Sequence, residues 1–148
     1  MVVGIGIFAI STGFGWHKYA IHLKRTRLLE DIIHFLRFCR TEIQNNKSKL
    51  DVLISKYAFN TRELSIAMRG KDIEAVKRLL NREECMAYND VFRSVCTLTY
   101  DDLVVRLKLI EDQFCEFLVK ERTNGAENGK LSLKLGVLIG VMGCILVI

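Results

Sequence analysis

The chain has 148 residues, of which 50% are hydrophobic and 26% are charged, with no proline and a net charge of +5. This composition excludes disordered, collagen-like and disulfide-scaffold proteins. All 22 Lys and Arg and all 17 Asp and Glu residues lie between His17 and Lys134, so both ends of the chain are apolar. The charge pattern therefore predicts that both ends insert into a membrane.

The first predicted element is a transmembrane helix over residues 1–23. Its apolar run precedes its basic residues, which is the reverse of the order in a cleaved signal peptide. Basic residues also precede the second predicted span, so the positive-inside rule predicts a cytoplasmic domain over residues 24–130. We expect the basic residues of the two flanks to meet anionic lipid headgroups rather than nucleic acid; they are Lys18, Lys24, Arg25, Arg27, Lys130 and Lys134.

The central domain has the three- and four-residue apolar spacing of amphipathic helices. One long helix is expected to end at about Asn46, with an apolar stripe made of Leu29, Ile32, Ile33, Leu36, Cys39 and Ile43. Short helices are expected to follow, capped by Ser48, by Asn60 and by Asp72, with Gly70 ending the second of them. A further helical segment is predicted from about Glu83 to Cys96.

The last predicted helix opens after a turn near residues 97–101 and leads to a second span over residues 131–148. Its stripe consists of Leu103, Leu107, Ile110, Phe114, Phe117 and Leu118. The dipeptides Asn124-Gly125 and Asn128-Gly129 predict a bend or a frayed joint before the span. Residues 17–46 and 100–131 would form helices of roughly 45 and 48 Å, and two such helices rooted in one membrane must be antiparallel. The predicted fold is an all-α, membrane-rooted antiparallel helical bundle with N- and C-terminal transmembrane helices.

Small residues share one face on each predicted span. Gly6, Ala9 and Gly13 lie at i, i+3 and i+7, and Gly136, Gly140 and Gly143 lie at i, i+4 and i+7. Small residues let membrane helices approach closely. We expect these faces to pack against each other or against another protein.

The chain offers no pattern for catalysis, a metal or a cofactor. The five cysteines include no C-x-x-C pair, and His17, His22 and His34 lack the i, i+4 spacing of helical metal ligands. The adjacent carboxylates of Asp101-Asp102 and Glu111-Asp112 are expected on solvated helix faces or at caps. The sequence predicts a protein that is not an enzyme and has no cofactor, with a diverged hydrolase as an alternative.

One segment carries a family resemblance. Asn128-Gly129-Lys130-Leu131, followed by Lys134-Leu135-Gly136-Val137-Leu138, resembles the signature of the stage III sporulation protein AB family of endospore-forming Firmicutes. Thr12-Gly13-Phe14-Gly15 and the run from Glu42-Ile43 to Leu50 are similar to that family as well. The chain departs from the family at Lys49, where proline is frequent, and over residues 98–106.

The resemblance implies a place in a larger assembly. Members of the family look like the cytoplasmic helical domains of type II secretion platform proteins. They are thought to act on the mother-cell side of the forespore double membrane, beside a secretion-type ATPase and other membrane subunits of one secretion-like channel. The resemblance therefore implies a sporulation protein that takes part in protein–protein interactions. It is compatible with an oligomer of this chain.

The expected function is that of a non-enzymatic membrane platform or scaffold subunit that docks a cytoplasmic ATPase. The expected docking residues are basic side chains of the short helices, which could meet an acidic patch on the partner by complementary charge; they are Arg62, Arg69, Arg78 and Arg82. The alternative is a membrane-tethered helical adaptor that binds anionic lipid or signalling partners.

Overall fold

The computed structural model of the protein describes residues 2–70 and 73–147, with the side chains of that part except those of residues 2–12, 14, 15, 18, 126, 129, 132, 133, 140, 143, 144, 146 and 147. This part of the chain forms helices α1 (Val2–Asn46), α2 (Leu50–Lys56), α3 (Arg62–Met68), α4 (Glu74–Lys77), α5 (Arg82–Thr97) and α6 (Tyr100–Val147). The described residues contain no strand, and the prediction of an all-α fold is confirmed.

The described part of the chain contains no helix that is both long enough and apolar enough to cross a membrane. Crossing the hydrocarbon core takes about 20 predominantly apolar residues in one helix. This finding contradicts the predicted location in the cell membrane, with spans over residues 1–23 and 131–148 and a cytoplasmic domain between them. The placement on the mother-cell side of the forespore double membrane is contradicted with it.

The chain divides into two compact units. One unit is Arg25–Val119, and the other combines Met1–Lys24 with Lys120–Ile148. The unit Arg25–Val119 contains the short helices α2 to α5 together with parts of α1 and α6.

The core of the unit Arg25–Val119 is built from the apolar stripes of its helices. Every residue of the stripe predicted on α1, from Leu29 to Ile43, is buried. On α6, Leu103, Leu107, Ile110 and Phe114 are buried as predicted, while Phe117 and Leu118 are half-buried against the core. Helices α2 to α5 and the segment between α4 and α5 add apolar side chains to the same core, namely Leu53, Leu64, Ala67, Met68, Val76, Leu80, Ala87, Tyr88 and Val91. Helices as short as α2, α3 and α4 are marginal alone in water, so their stability comes from this packing.

Two backbone positions with positive φ mark where helices end. Helix α1 ends at Asn46 as predicted, and Lys47, with φ of 48°, still donates its N–H to the carbonyl of Ile43 at 3.0 Å. Gly70 has φ of 72°, a conformation that costs glycine little, and it follows the end of α3 as predicted.

Two of the predicted N-cap residues are wrong, in contrast to the predicted helix ends. Helix α2 begins at Leu50 with Lys49 in the N-cap position, so Ser48 is not its cap. Helix α3 has Thr61 rather than Asn60 in that position. Asp72 lies outside the described residues.

In the unit formed by Met1–Lys24 and Lys120–Ile148, a close contact between two side chains accounts for the glycine at position 125. His22 Nδ1 lies 2.8 Å from Glu121 Oε1. A Cβ atom at Gly125 would lie 2.9 Å from that Glu121 oxygen and 3.0 Å from His22 Nδ1. The backbone stays helical through Asn124-Gly125 and Asn128-Gly129, so the frayed joint predicted there is wrong. Gly125 instead leaves room for the contact between His22 and Glu121.

Candidate functional site

The four arginines predicted to dock a partner lie at the ends of three successive helices. Arg62 is the first residue of α3 and Arg69 is its C-cap, while Arg78 is the C-cap of α4 and Arg82 is the first residue of α5. All four are exposed. None of their guanidinium groups forms an ion pair or hydrogen bond with another residue of the described ranges 2–70 and 73–147. We call these four residues the basic rim.

The acidic residues near the basic rim offset only part of its charge. Glu74 Oε1 lies 3.2 Å from Lys77 Nζ on the same helix, so its charge is already balanced by a neighbour. Glu63 is the other acidic residue described between Arg62 and Arg82, and it is half-buried. Glu83, which directly follows Arg82, is exposed. The cations of this region outnumber its carboxylates, and such an excess of positive charge attracts acidic surfaces.

The start of α3, next to Arg62, is held by a buried carboxylate from α1. Asp31 is 1% exposed. Its Oδ2 accepts hydrogen bonds from the backbone N–H groups of Asn60 at 3.1 Å and Thr61 at 2.9 Å, and from the Thr61 hydroxyl at 2.5 Å. A negative charge at a helix N-terminus is favourable because the first N–H groups point toward it. Asp31 therefore fixes the backbone from which Arg62 projects.

The segment before α3 is held by an aromatic cluster as well. The Tyr57 hydroxyl donates to Asp31 Oδ1 at 3.3 Å. Its ring centroid lies 5.2 Å from that of Phe35 and 4.9 Å from that of Phe59. Burial, followed by the negative charge of Asp31, raises the pKa of Tyr57 to about 12. The phenol therefore stays protonated and remains a donor at physiological pH.

A second buried carboxylate holds the start of α5. Glu84 is 3% exposed, and its Oε2 accepts the backbone N–H of Asn81 at 2.7 Å. Its Oε1 accepts a hydrogen bond from Arg25 Nη2 at 2.6 Å. These bonds fix the first turn of α5, where Arg82 lies. The structure thus places Arg25, predicted as a lipid-facing residue, in an ion pair with a side-chain exposure of 17%.

Contacts among α3, α4 and α5 fix the remaining rim positions. Helices α3 and α4 pack against each other. The Tyr88 hydroxyl of α5 donates to Met68 Sδ of α3 at 3.7 Å, and burial raises the pKa of Tyr88 to about 12. Arg69 and Arg78 therefore project from helices that are anchored to the core.

A third buried carboxylate joins α1 to α6. Glu111 Oε1 accepts a hydrogen bond from Arg37 Nε at 2.6 Å, and its Oε2 lies 3.5 Å from Arg40 Nη2. The hydrogen bond to Glu111 raises the pKa of Arg37. Glu111 is 6% exposed, so its predicted place on a solvated face is wrong, whereas Asp112 is exposed as predicted.

A groove between α5 and α6 was not predicted from the sequence. It has a volume of about 790 Å³, and its lining includes Met86 and Ala87 of α5 and Phe117 of α6. Asp90 and Arg106, which also line it, form an ion pair that joins the two helices. The sequence signal that could have indicated this groove is Met86, a methionine on an otherwise polar face of α5. Its side chain is 58% exposed in the structure.

The structure describes the predicted packing faces only in part. A Cβ atom at Gly13 would have nothing within 4 Å, and Gly136 is half-buried. The side-chain surroundings of Gly6, Ala9, Gly140 and Gly143 lie outside the described residues.

The other predicted flank residues are described more fully. Lys24, Arg27, Lys130 and Lys134 are exposed, while the Lys18 side chain lies outside the described residues. Their assignment as lipid-facing residues stays a prediction.

The described residues include no group of metal ligands, and the buried Cys39 thiol is not activated. In the part of the chain that the structure covers, no three His, Cys, Asp or Glu side chains are grouped so that they could hold a metal ion. Burial raises the pKa of the Cys39 thiol to about 12, which disfavours the reactive thiolate. The buried carboxylates of Asp31, Glu84 and Glu111 hold helices in place through bonds within the protein.

Comparisons of the chain with models of known protein families, with curated proteins and with solved structures found no match.

Proposed function

We propose that this protein is a non-enzymatic helical scaffold subunit that docks a secretion-type ATPase through the basic rim. The observation that supports the proposal is the state of the four rim arginines. They are exposed, their guanidinium groups form no ion pair or hydrogen bond with other described residues, and they project from helices that are anchored to the core. A positive surface on helices that are anchored to the core suits recognition of an acidic patch, because little backbone freedom is lost on binding.

The resemblance at Asn128-Gly129-Lys130-Leu131 supports the identity of the partner. It suggests a member of the stage III sporulation protein AB family that acts in a secretion-like assembly during sporulation. In this proposal the parts of α1 and α6 within Arg25–Val119 run antiparallel and form the frame of the scaffold. Other subunits of the assembly, or further copies of the chain, would contact the remaining surface.

The test is a direct binding measurement between the full-length protein and the purified secretion-type ATPase of the same organism. Reversal of the whole rim to Glu should weaken binding at least about 10-fold at a salt concentration of about 0.15 M, where screening acts over about 8 Å. Circular dichroism should show unchanged helix content, because all four side chains are exposed.

A matched control carries the same change of charge elsewhere. Lys49, Lys108, Lys120 and Lys130 are exposed and lie outside the rim. Reversing these four to Glu should leave binding within about twofold of the wild type. An equal loss in both variants would show that only the net charge matters, and it would refute docking through the rim.

A further inference from the structure

The groove between α5 and α6 has an adaptable apolar base. Met86 is 58% exposed at one side of the groove, and Phe117 is half-buried at the other. The Phe117 ring meets the buried Phe114 ring edge-on at 5.7 Å, which holds it in place. Methionine is flexible and polarizable, so an exposed methionine opposite a fixed aromatic ring can adapt to an inserted apolar side chain.

The charged groups of the groove leave it acidic. Asp90 and Arg106 neutralise each other in the ion pair across the groove. Glu83 of α5 and Glu116 of α6 also line it, and neither forms an ion pair with a residue in the described part of the chain. Arg93 is the remaining cation of the lining, so the two unpaired carboxylates outnumber it.

The size of the groove indicates what it can accept. A volume of about 790 Å³ lies within the roughly 300–1,000 Å³ range of ligand-binding clefts. It holds several large side chains but is too small to enclose a whole helix with its backbone. A helix that lay along the groove could insert the side chains of one face, as amphipathic helices do in apolar grooves.

We propose that this groove is a second docking surface, which takes an amphipathic helix of a partner protein whose apolar face is flanked by Lys or Arg. The apolar side chains insert between Met86 and Phe117, and the flanking cations pair with Glu83 and Glu116. A helix with acidic flanks would meet two unpaired carboxylates, so the charge of the groove selects against it. This inference is independent of the basic rim, since the rim arginines do not line the groove.

The test uses two synthetic helical peptides with the same leucine face, one flanked by Lys and the other by Glu. Fluorescence anisotropy with the full-length protein, at about 0.15 M salt, reports their binding. The Lys-flanked peptide should bind saturably and at least about 10-fold more tightly than the Glu-flanked peptide.

Variants show whether the peptide occupies the groove. The double variant Glu83→Lys/Glu116→Lys should reverse the preference between the peptides, and Met86→Asp should weaken both of them at least about 10-fold. The matched control Asp101→Lys/Asp112→Lys makes the same change of charge at exposed positions of α6 outside the groove, and it should bind as the wild type does.

Two outcomes would overturn the inference. One is the absence of saturable binding of the Lys-flanked peptide up to about 1 mM. The other is a change of peptide preference in the control Asp101→Lys/Asp112→Lys that is as large as the change in Glu83→Lys/Glu116→Lys. That result would indicate attraction to net charge alone. A variant with Arg62, Arg69 and Arg78 reversed to Glu, which leaves Arg82 beside Glu83 unchanged, should still prefer the Lys-flanked peptide, so a failure of this inference is distinguishable from a failure of ATPase docking.

Discussion

Removing the carboxylate of Asp31 should be among the most damaging single changes to this protein. The side chain is 1% exposed and accepts hydrogen bonds from two backbone N–H groups and two hydroxyls of residues 57–61. In Asp31→Ala the hydroxyls can rotate toward other acceptors, whereas the N–H groups of Asn60 and Thr61 cannot. Hydrogen bonds to a charged group contribute about 1.5–3 kcal/mol each, so the loss of these two should cost about 3–6 kcal/mol.

The substitution Asp31→Asn removes the negative charge of this side chain but keeps its shape. The amide oxygen of asparagine can still accept from the N–H groups of Asn60 and Thr61, and its NH₂ group can donate to the Tyr57 oxygen. The loss should therefore be smaller, about 1–2 kcal/mol, because the remaining bonds are neutral. In a double-mutant cycle, Thr61→Val should cost less in the Asp31→Asn background than in the wild type, since the strongest acceptor is already gone.

Urea denaturation of the full-length protein, followed by circular dichroism at the helix band, measures these changes. The control Asp112→Ala removes an exposed carboxylate and should change the free energy of unfolding by less than about 0.5 kcal/mol. If Asp31→Ala lost no more stability than this control, Asp31 would not anchor the start of α3. The proposed positioning of Arg62 would then lose its physical basis.

Three further predictions concern other buried groups. At pH 8 a thiol reagent should modify the exposed Cys96 in the native protein but should reach Cys39 only after unfolding, because burial raises the pKa of Cys39 to about 12; mass spectrometry of the labelled peptides checks this. The buried phenol of Tyr88 has its pKa raised from 10.0 to about 12, so the stability it provides is present below pH 10 and is lost as the pH rises toward 12. The fall in the free energy of unfolding over that range should be smaller in Tyr88→Phe. Glu84→Ala removes the carboxylate that the largely buried Arg25 contacts, and it should cost about 3–5 kcal/mol in urea denaturation, with a smaller cost for Glu84→Gln.

The helices and the core could be predicted because their signals are local and periodic. Apolar residues at three- and four-residue steps predict which face of α1 or α6 is buried, whatever that face packs against. The end of α1 at Asn46 and the left-handed Gly70 after α3 follow from the same short-range chemistry. Such features depend on neighbours within about one turn of the chain.

The buried carboxylates could not be predicted in the same way, because their partners are distant in sequence. Asp31 binds residues 57–61, and nothing near Asp31 in the sequence indicates that segment. The role of Gly125 likewise depends on His22, which belongs to a different helix. Glu84 is the exception, since an Asn followed three residues later by Glu is a capping-box pattern, and Asn81 with Glu84 fits it.

The anchoring of the short helices also explains why the proposed docking surfaces can be tested by mutation. Helices α2, α3 and α4 have seven, seven and four residues, too few to be stable without the core. Their positions depend on buried groups such as Asp31 and Leu64, whereas the rim arginines and Met86 are exposed. Changing the exposed residues should alter recognition and leave the fold intact, while changing the buried carboxylates should reduce stability and docking together. A loss of docking without a loss of stability would therefore identify a contact residue, because each side chain of the framework contributes to both.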